Sequence, residues 1–139
     1  MPVRELQSIF SDRPTIAVVG LSPKKHRPSH QVARYLLDVG CTIIPVNPGQ
    51  DSILGLPCYP DLPSIGRPVD VVDIFRRADQ VLPIVQDAVS IGAKVIWMQQ
   101  GIINEEAADL ARKAGLAVVM DRCIKIDHER FLAGFESLP

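Results

Sequence analysis

Cysteine is scarce in this chain. Cys41, Cys58 and Cys123 are the three present, too few and too scattered for a disulfide framework, and no two stand at the C-x-x-C spacing of a metal or redox pair. A reducing compartment is expected. Excess charge of one sign is lacking too: a formal net charge of −1 gives no global attraction to nucleic acid or to an anionic membrane surface. No apolar run approaches the roughly 20 residues that span a bilayer, and "MPVRELQSIF" has no apolar core of a signal peptide. The expectation is a cytoplasmic protein with no nucleic-acid or membrane partner. Catalytic signatures are missing as well. There is no Ser/His/acid set, no H-E-x-x-H and no metal-ligand spacing.

What is present is an alternation. With 139 residues and 47% hydrophobic content, the chain suits one domain, residues 1–139, around one core. "TIAVVG" (15–20), "CTIIPV" (41–46), "VDVVDIF" (69–75), "AKVIWM" (93–98) and "LAVVMD" (116–121) are short β-branched apolar runs, the pattern of strands buried on both faces. Helical patterns lie between them. In "SHQVARYLLDVG" the residues Val32, Leu36 and Val39 share a face, with Ser29 placed as N-cap and Gly40 just past the end. A second helix is expected from Asp79 to Gly92 with Pro83 in its first turn, and a third from Asn104 to Gly115. Repetition of strand, helix and strand predicts an α/β fold: one Rossmann-like, doubly wound domain with a mostly parallel sheet of five or six strands. Ligands of such sheets bind where the strands end.

Glycine is missing where a dinucleotide loop needs it. After Gly20 come Leu21, Ser22, Pro23, Lys24, Lys25, His26 and Arg27, so that Ser22 and Lys25 occupy the second and third glycine places of G-x-G-x-x-G. A standard NAD site is disfavoured. From Arg13 to Leu37 there are five Lys or Arg and no Asp or Glu, so this stretch carries +5 and the remainder −6. Backbone N–H groups at the helix start and the Ser22 hydroxyl can hold phosphate, with Lys24, Lys25 and Arg27 adding charge.

The other strand ends fit the same kind of ligand. "PVNPGQ" presents neutral Asn47, followed by Pro48, where an NAD enzyme usually places a ribose-binding carboxylate. Phe75, Arg76 and Arg77 set an apolar surface beside two cations, suited to an adenine ring and its phosphates. Trp97 reads as core, and Gln99, Gln100 and Gly101 follow it.

Taken together, "IAVVGLSPKKHRPSHQVARYLLDVGCTIIPVNPG", "DVVDIFRRADQV" and "VIWMQQGIINEEAADLARKAGLAVVMDRCIKIDH" resemble the CoA-binding domain family. Its members are stand-alone relatives of the amino-terminal domain of the succinyl-CoA synthetase α subunit. The resemblance implies a Rossmann-like domain that binds coenzyme A through Gly20, Leu21 and Ser22 in the first loop, Asn47 and Pro48 in the second, Phe75 and Arg76 in the third, and Met98, Gln99 and Gln100 in the fourth. A 3′-phosphorylated ADP accounts for both the missing carboxylate and the local cations. The synthetase has lysine where this chain has Gln50, so the phosphate charge falls to Lys24, Lys25, Arg27 or Arg76.

The ligase's phosphorylated-histidine domain and its nucleotide-grasping partner chain have no counterpart in these residues. The expectation is therefore a sensor, carrier or accessory protein for CoA or an acyl-CoA, without catalysis of its own. Two alternatives stand beside it: an acyl-CoA-handling enzyme that needs a partner subunit, and an NAD(P)-binding module; a homo-oligomer is also left open. His128, near Cys123 and between Asp127 and Glu129, is the candidate for chemistry. Cys123 and Cys58 are candidates for a mixed disulfide with the CoA thiol.

Overall fold

The apolar β-branched runs are strands because both their faces are covered, and their ends define everything that follows. In the computed structural model, which describes residues 8–11 and 13–133, β1 (Thr15–Val19), β2 (Thr42–Val46), β5 (Val71–Ile74), β6 (Val95–Met98) and β7 (Ala117–Val119) form one sheet in the order β2-β1-β5-β6-β7. All its neighbours are parallel. A second, two-stranded sheet, β3 (Ser52–Ile53) and β4 (Leu56–Pro57), is an antiparallel hairpin. Leu54 and Gly55 turn it with φ of 57° and 73°, the positive pair that a tight hairpin requires. The sequence marks this stretch only as a proline-rich connection.

Among the described residues, four helices of nine or more residues cover the sheet: α1 (Pro28–Asp38), α2 (Val81–Ser90), α3 (Glu105–Lys113) and α4 (Ile124–Leu132). Beneath α1 and α4 lie Ile16, Val18, Leu21, Leu36, Trp97 and Ile124. Val19, Ile74, Val85, Ile96, Met98 and Ala107 fill the other layer, under α2 and α3. The sheet is therefore wound on both sides, as the alternation predicts.

Helix boundaries follow local chemistry, with two shifts, one of them at α2, which begins at Val81 after a 3-10 turn over Ala78–Gln80 that takes in the expected start, Asp79. Asn104 caps α3 by accepting the Ala107 N–H at 3.0 Å. α1 starts two residues earlier than a Ser29 cap would have it, because Pro28 brings a preset φ and no N–H that needs a partner. Ser29 is thus inside the helix rather than its cap. Its hydroxyl accepts the Ser22 N–H instead, at 3.0 Å. Among the described residues, no helix is long and apolar enough to cross a membrane.

From β1 the chain runs outward to β2, whereas from β5 onward it runs the other way. The reversal puts a crevice between the carboxyl ends of β1 and β5. That is where Gly20 and Phe75 stand.

Candidate functional site

Parallel register brings the residues that follow the five strands into one row. Val19 is level with Val46 and with Ile74, Ile74 with Met98, and Trp97 with Val119. One step further, Asn47, Gly20, Phe75 and Gln99 stand side by side, and Asp121 completes the row. Backbone bonds tie it together: Gly20 N–H to Val46 O at 2.9 Å and Phe75 N–H to Val19 O at 2.8 Å.

Gly20 is the tightest point. Its φ is 87°, and a Cβ there would overlap the Phe75 carbonyl oxygen and stand 3.3 Å from Arg76 Nε. The lone glycine of the loop is thus required by the approach of the β5 end as well as by its own backbone. Beyond it, Leu21 is fully buried, and its carbonyl accepts from Asn47 Nδ2 at 2.9 Å. Asn47 Oδ1 accepts the Gly49 N–H at 3.0 Å. This one side chain joins the first loop to the second. Asn47→Ala is expected to lower stability by about 1 to 2 kcal/mol, as one buried acceptor and one turn donor lose their partner; thermal unfolding beside wild type measures it.

Ser22 is committed to structure at three atoms. Its N–H goes to Ser29, its carbonyl accepts His30 Nδ1 at 2.9 Å, and its Oγ accepts the Lys24 N–H at 3.1 Å. Because a carbonyl can only accept, His30 Nδ1 carries the proton. His30 is therefore a buried member of the loop's framework rather than a free polar side chain.

Two clefts flank the row. One, of about 320 Å³, is lined by Gly20, Ser22, Arg27, Pro28, Ser29 and Phe75, and it opens on the amino terminus of α1, whose orphan N–H groups favour an anion. Another, of about 160 Å³, lies across the sheet and includes Pro48, Leu62, Arg76 and Ile84. The twofold alternation of a strand end sends Phe75 to the first cleft and Arg76 to the second. Arg76 shares its cleft with Asp61 and Asp87. Lys24 and Lys25 are exposed on the loop, outside both clefts, while Arg27 belongs to the first.

The remaining candidates are placed differently. Met98 is fully buried in the α2/α3 layer and Gln100 is exposed. Gln99 is buried, and its Nε2 donates to Asp73. Leu21, Met98 and Gln99 hence offer a ligand mainly backbone or an amide edge. His128 sits in an aromatic cluster, bonded to the Tyr35 hydroxyl at 2.8 Å and edge-on to Phe10 at 4.9 Å, and burial pushes its pKa down. It packs α4 on α1. Cys41 is buried. Cys58 is half-buried, with Sγ donating to Asn47 O at 3.5 Å, and burial pushes its pKa up, which disfavours the thiolate that exchange requires.

Two carboxylates at the row carry no role in the sequence reading. Asp121 has φ 61° and accepts the Gly101 N–H at 2.6 Å, binding the end of β7 to the loop after β6. Asp73 is fully buried in β5 beside Val18 and Trp97. Its signal was present in the sequence as an acid interrupting "VVDIF".

Known proteins resemble this chain in sequence and in fold. The profile of the CoA binding domain matches residues 14–129. The chain belongs to the CoA-binding domain family. Within that family it is 41% identical over 124 residues to the uncharacterised protein YneT of Bacillus subtilis, covering 89% of this chain and 92% of that one. A solved structure of a hypothetical protein from Pyrococcus horikoshii superposes with TM-score 0.92 at 38% identity, over 95% of this chain and 93% of that one. The ADP-forming acetate–CoA ligase I of Archaeoglobus fulgidus is 27% identical over 119 residues, which are 78% of this chain but 17% of the ligase. The CoA-binding domain thus occurs both at this size and as a small part of a ligase.

Proposed function

We propose that this CoA-binding domain protein binds coenzyme A or an acyl-CoA in the cytoplasm, across the ends of β1, β2, β5 and β6, as a sensor, carrier or accessory protein without catalysis of its own. The observation that carries it is the pairing of Gly20 with the Phe75 carbonyl. This brings an aromatic ring, a helix amino terminus and Arg27 around one cleft without the glycines or the carboxylate of an NAD site. The nucleotide lies along the row, with its phosphates toward the start of α1.

Calorimetric titration with CoA, acetyl-CoA, dephospho-CoA, NAD and NADP tests the reading at one salt concentration. Tight CoA binding with weak dephospho-CoA and NAD binding is expected; preference for NAD or NADP overturns it. Charge reversal at Arg76, or at Lys24 and Lys25 together, is expected to weaken CoA about tenfold or more, the scale of one charged hydrogen bond, and dephospho-CoA much less. Equal losses for the two ligands would move these side chains from the 3′-phosphate to the pyrophosphate.

The ligase relative favours one second reading, in which the chain acts with a separate subunit in acyl-CoA chemistry. A neighbouring gene for a grasp-fold ligase chain, and co-purification with its product, would support that reading over the stand-alone one.

A further inference from the structure

Asp73 is the least comfortable group in the described structure. Its side chain is fully buried, one oxygen accepts from Gln99 Nε2, and the other, Oδ2, has no partner. A carboxylate with one neutral donor and no cation is poorly stabilised in a core. Of the titratable groups on the two helices covering this layer, Arg34 and Asp38 on α1 and Glu129 and Arg130 on α4 are exposed, Tyr35 and Lys125 are half-buried, and His30, Asp127 and His128 are buried, with Cys123 half-buried at the start of α4. Asp127 is paired with Arg122 at 2.8 Å and His128 with Tyr35. None of them sets the proton affinity of Asp73: desolvation raises it and the Gln99 hydrogen bond alone opposes.

Gln99 connects this buried acid to the rim. It stands in the row between Phe75 and Asp121, with its nitrogen turned inward to Asp73. Among the described residues nothing donates to its Oε1, which leaves that edge of the amide for the rim. A carboxylate can only accept, so it demands the amide's N–H edge. A protonated acid can donate, and an amide rotated by half a turn then offers it the oxygen, with the same heavy-atom positions.

We propose that Asp73 is a positioning residue for the rim. As a carboxylate it holds the Gln99 nitrogen inward and leaves the oxygen facing out; on taking a proton from solvent it turns the amide, so that the nitrogen faces an anionic ligand. This rests on the reading that a phosphate-bearing ligand lies along the row. Such a ligand is repelled by a buried negative charge and by an outward carbonyl, and both are removed by the same proton. Binding of the anion and protonation of Asp73 are therefore linked, each favouring the other.

Two measurements test this. Side-chain amide NMR of the ligand-free protein between pH 5 and 9 is expected to show the Gln99 NH₂ signals moving between two environments, and Asp73→Asn to remove that movement. Signals that stay fixed in wild type overturn the proposal whether or not CoA binds. Calorimetry of CoA binding at pH 8, in buffers of different ionisation enthalpy, is expected to show proton uptake by wild type that the Asp73→Asn variant lacks. Wild-type affinity should also fall about tenfold from pH 6 to pH 9 relative to the variant, for a pKa shift of about one unit on binding. Equal proton uptake in both proteins overturns the coupling. No binding of CoA at any pH defeats the proposed function instead, and leaves the Gln99 turn to be judged by NMR.

Discussion

Gly20→Ala is expected to lower the stability of this protein by about 3 kcal/mol. Two terms add. An L residue held at left-handed φ costs about 1 to 2 kcal/mol, and forcing a methyl into a packed site costs about 1 to 3 kcal/mol. The second arises because the new Cβ would meet the Phe75 carbonyl, a backbone atom fixed by its place at the end of β5. It cannot swing away like a side chain. With a urea slope of about 1 to 3 kcal/mol/M for a chain of this size, the midpoint should drop by about 1 to 2 M.

Gly92→Ala is the control. Gly92 also has positive φ, 77°, but nothing lies within 4 Å of its added Cβ, so the backbone term alone applies. Similar losses in the two variants would show that the contact with Phe75 is not tight. In Gly20→Ala, CoA affinity should fall with stability, because relief of the clash separates β1 from β5 at the cleft.

Asp73→Asn is expected to have the opposite effect above neutral pH. Burial pushes the Asp73 pKa from the ordinary 3.8 up to about 7. Between those values the unfolded chain has released the proton while the folded chain keeps it. The folded state then binds more protons, so stability falls as pH rises. The contribution is fully present below pH 4, declines from there to pH 7, and amounts to about 4 kcal/mol across that span. An asparagine is neutral throughout and can still accept from Gln99. Wild type should therefore lose stability relative to the variant from pH 4 to pH 8 in urea titrations, and parallel curves would contradict the burial of an uncompensated carboxylate. Comparing the two at each pH separates Asp73 from His128, whose lowered pKa makes stability rise with pH.

The sequence determined the fold class by itself. Runs such as "TIAVV" and "VIWM" are apolar on both faces, and only a covered parallel sheet uses such strands. The glycines after α1, α2 and α3 and the asparagine before α3 act within a few residues of themselves, so their helix ends were legible too. So were the strand ends that form the candidate site, where a lone Gly20 before a basic loop, Asn47, and Phe75 with Arg76 fall.

The tertiary structure decided which of those residues face the same space. Strand order, set by which strands find each other across the chain, makes Gly20 press on Phe75 rather than on any other strand end. Alternation at that end separates Phe75 from Arg76 onto opposite faces. Asn47 meets the Leu21 carbonyl, 26 residues away, and Gln99 meets Asp73 across the same interval. A sequence shows spacing along the chain, and these contacts run across it. Burial belongs to the same class: whether His128 is a reactive base or a packed ring, and whether Asp73 is ionised, depends on desolvation by helices that arrive from distant parts of the chain.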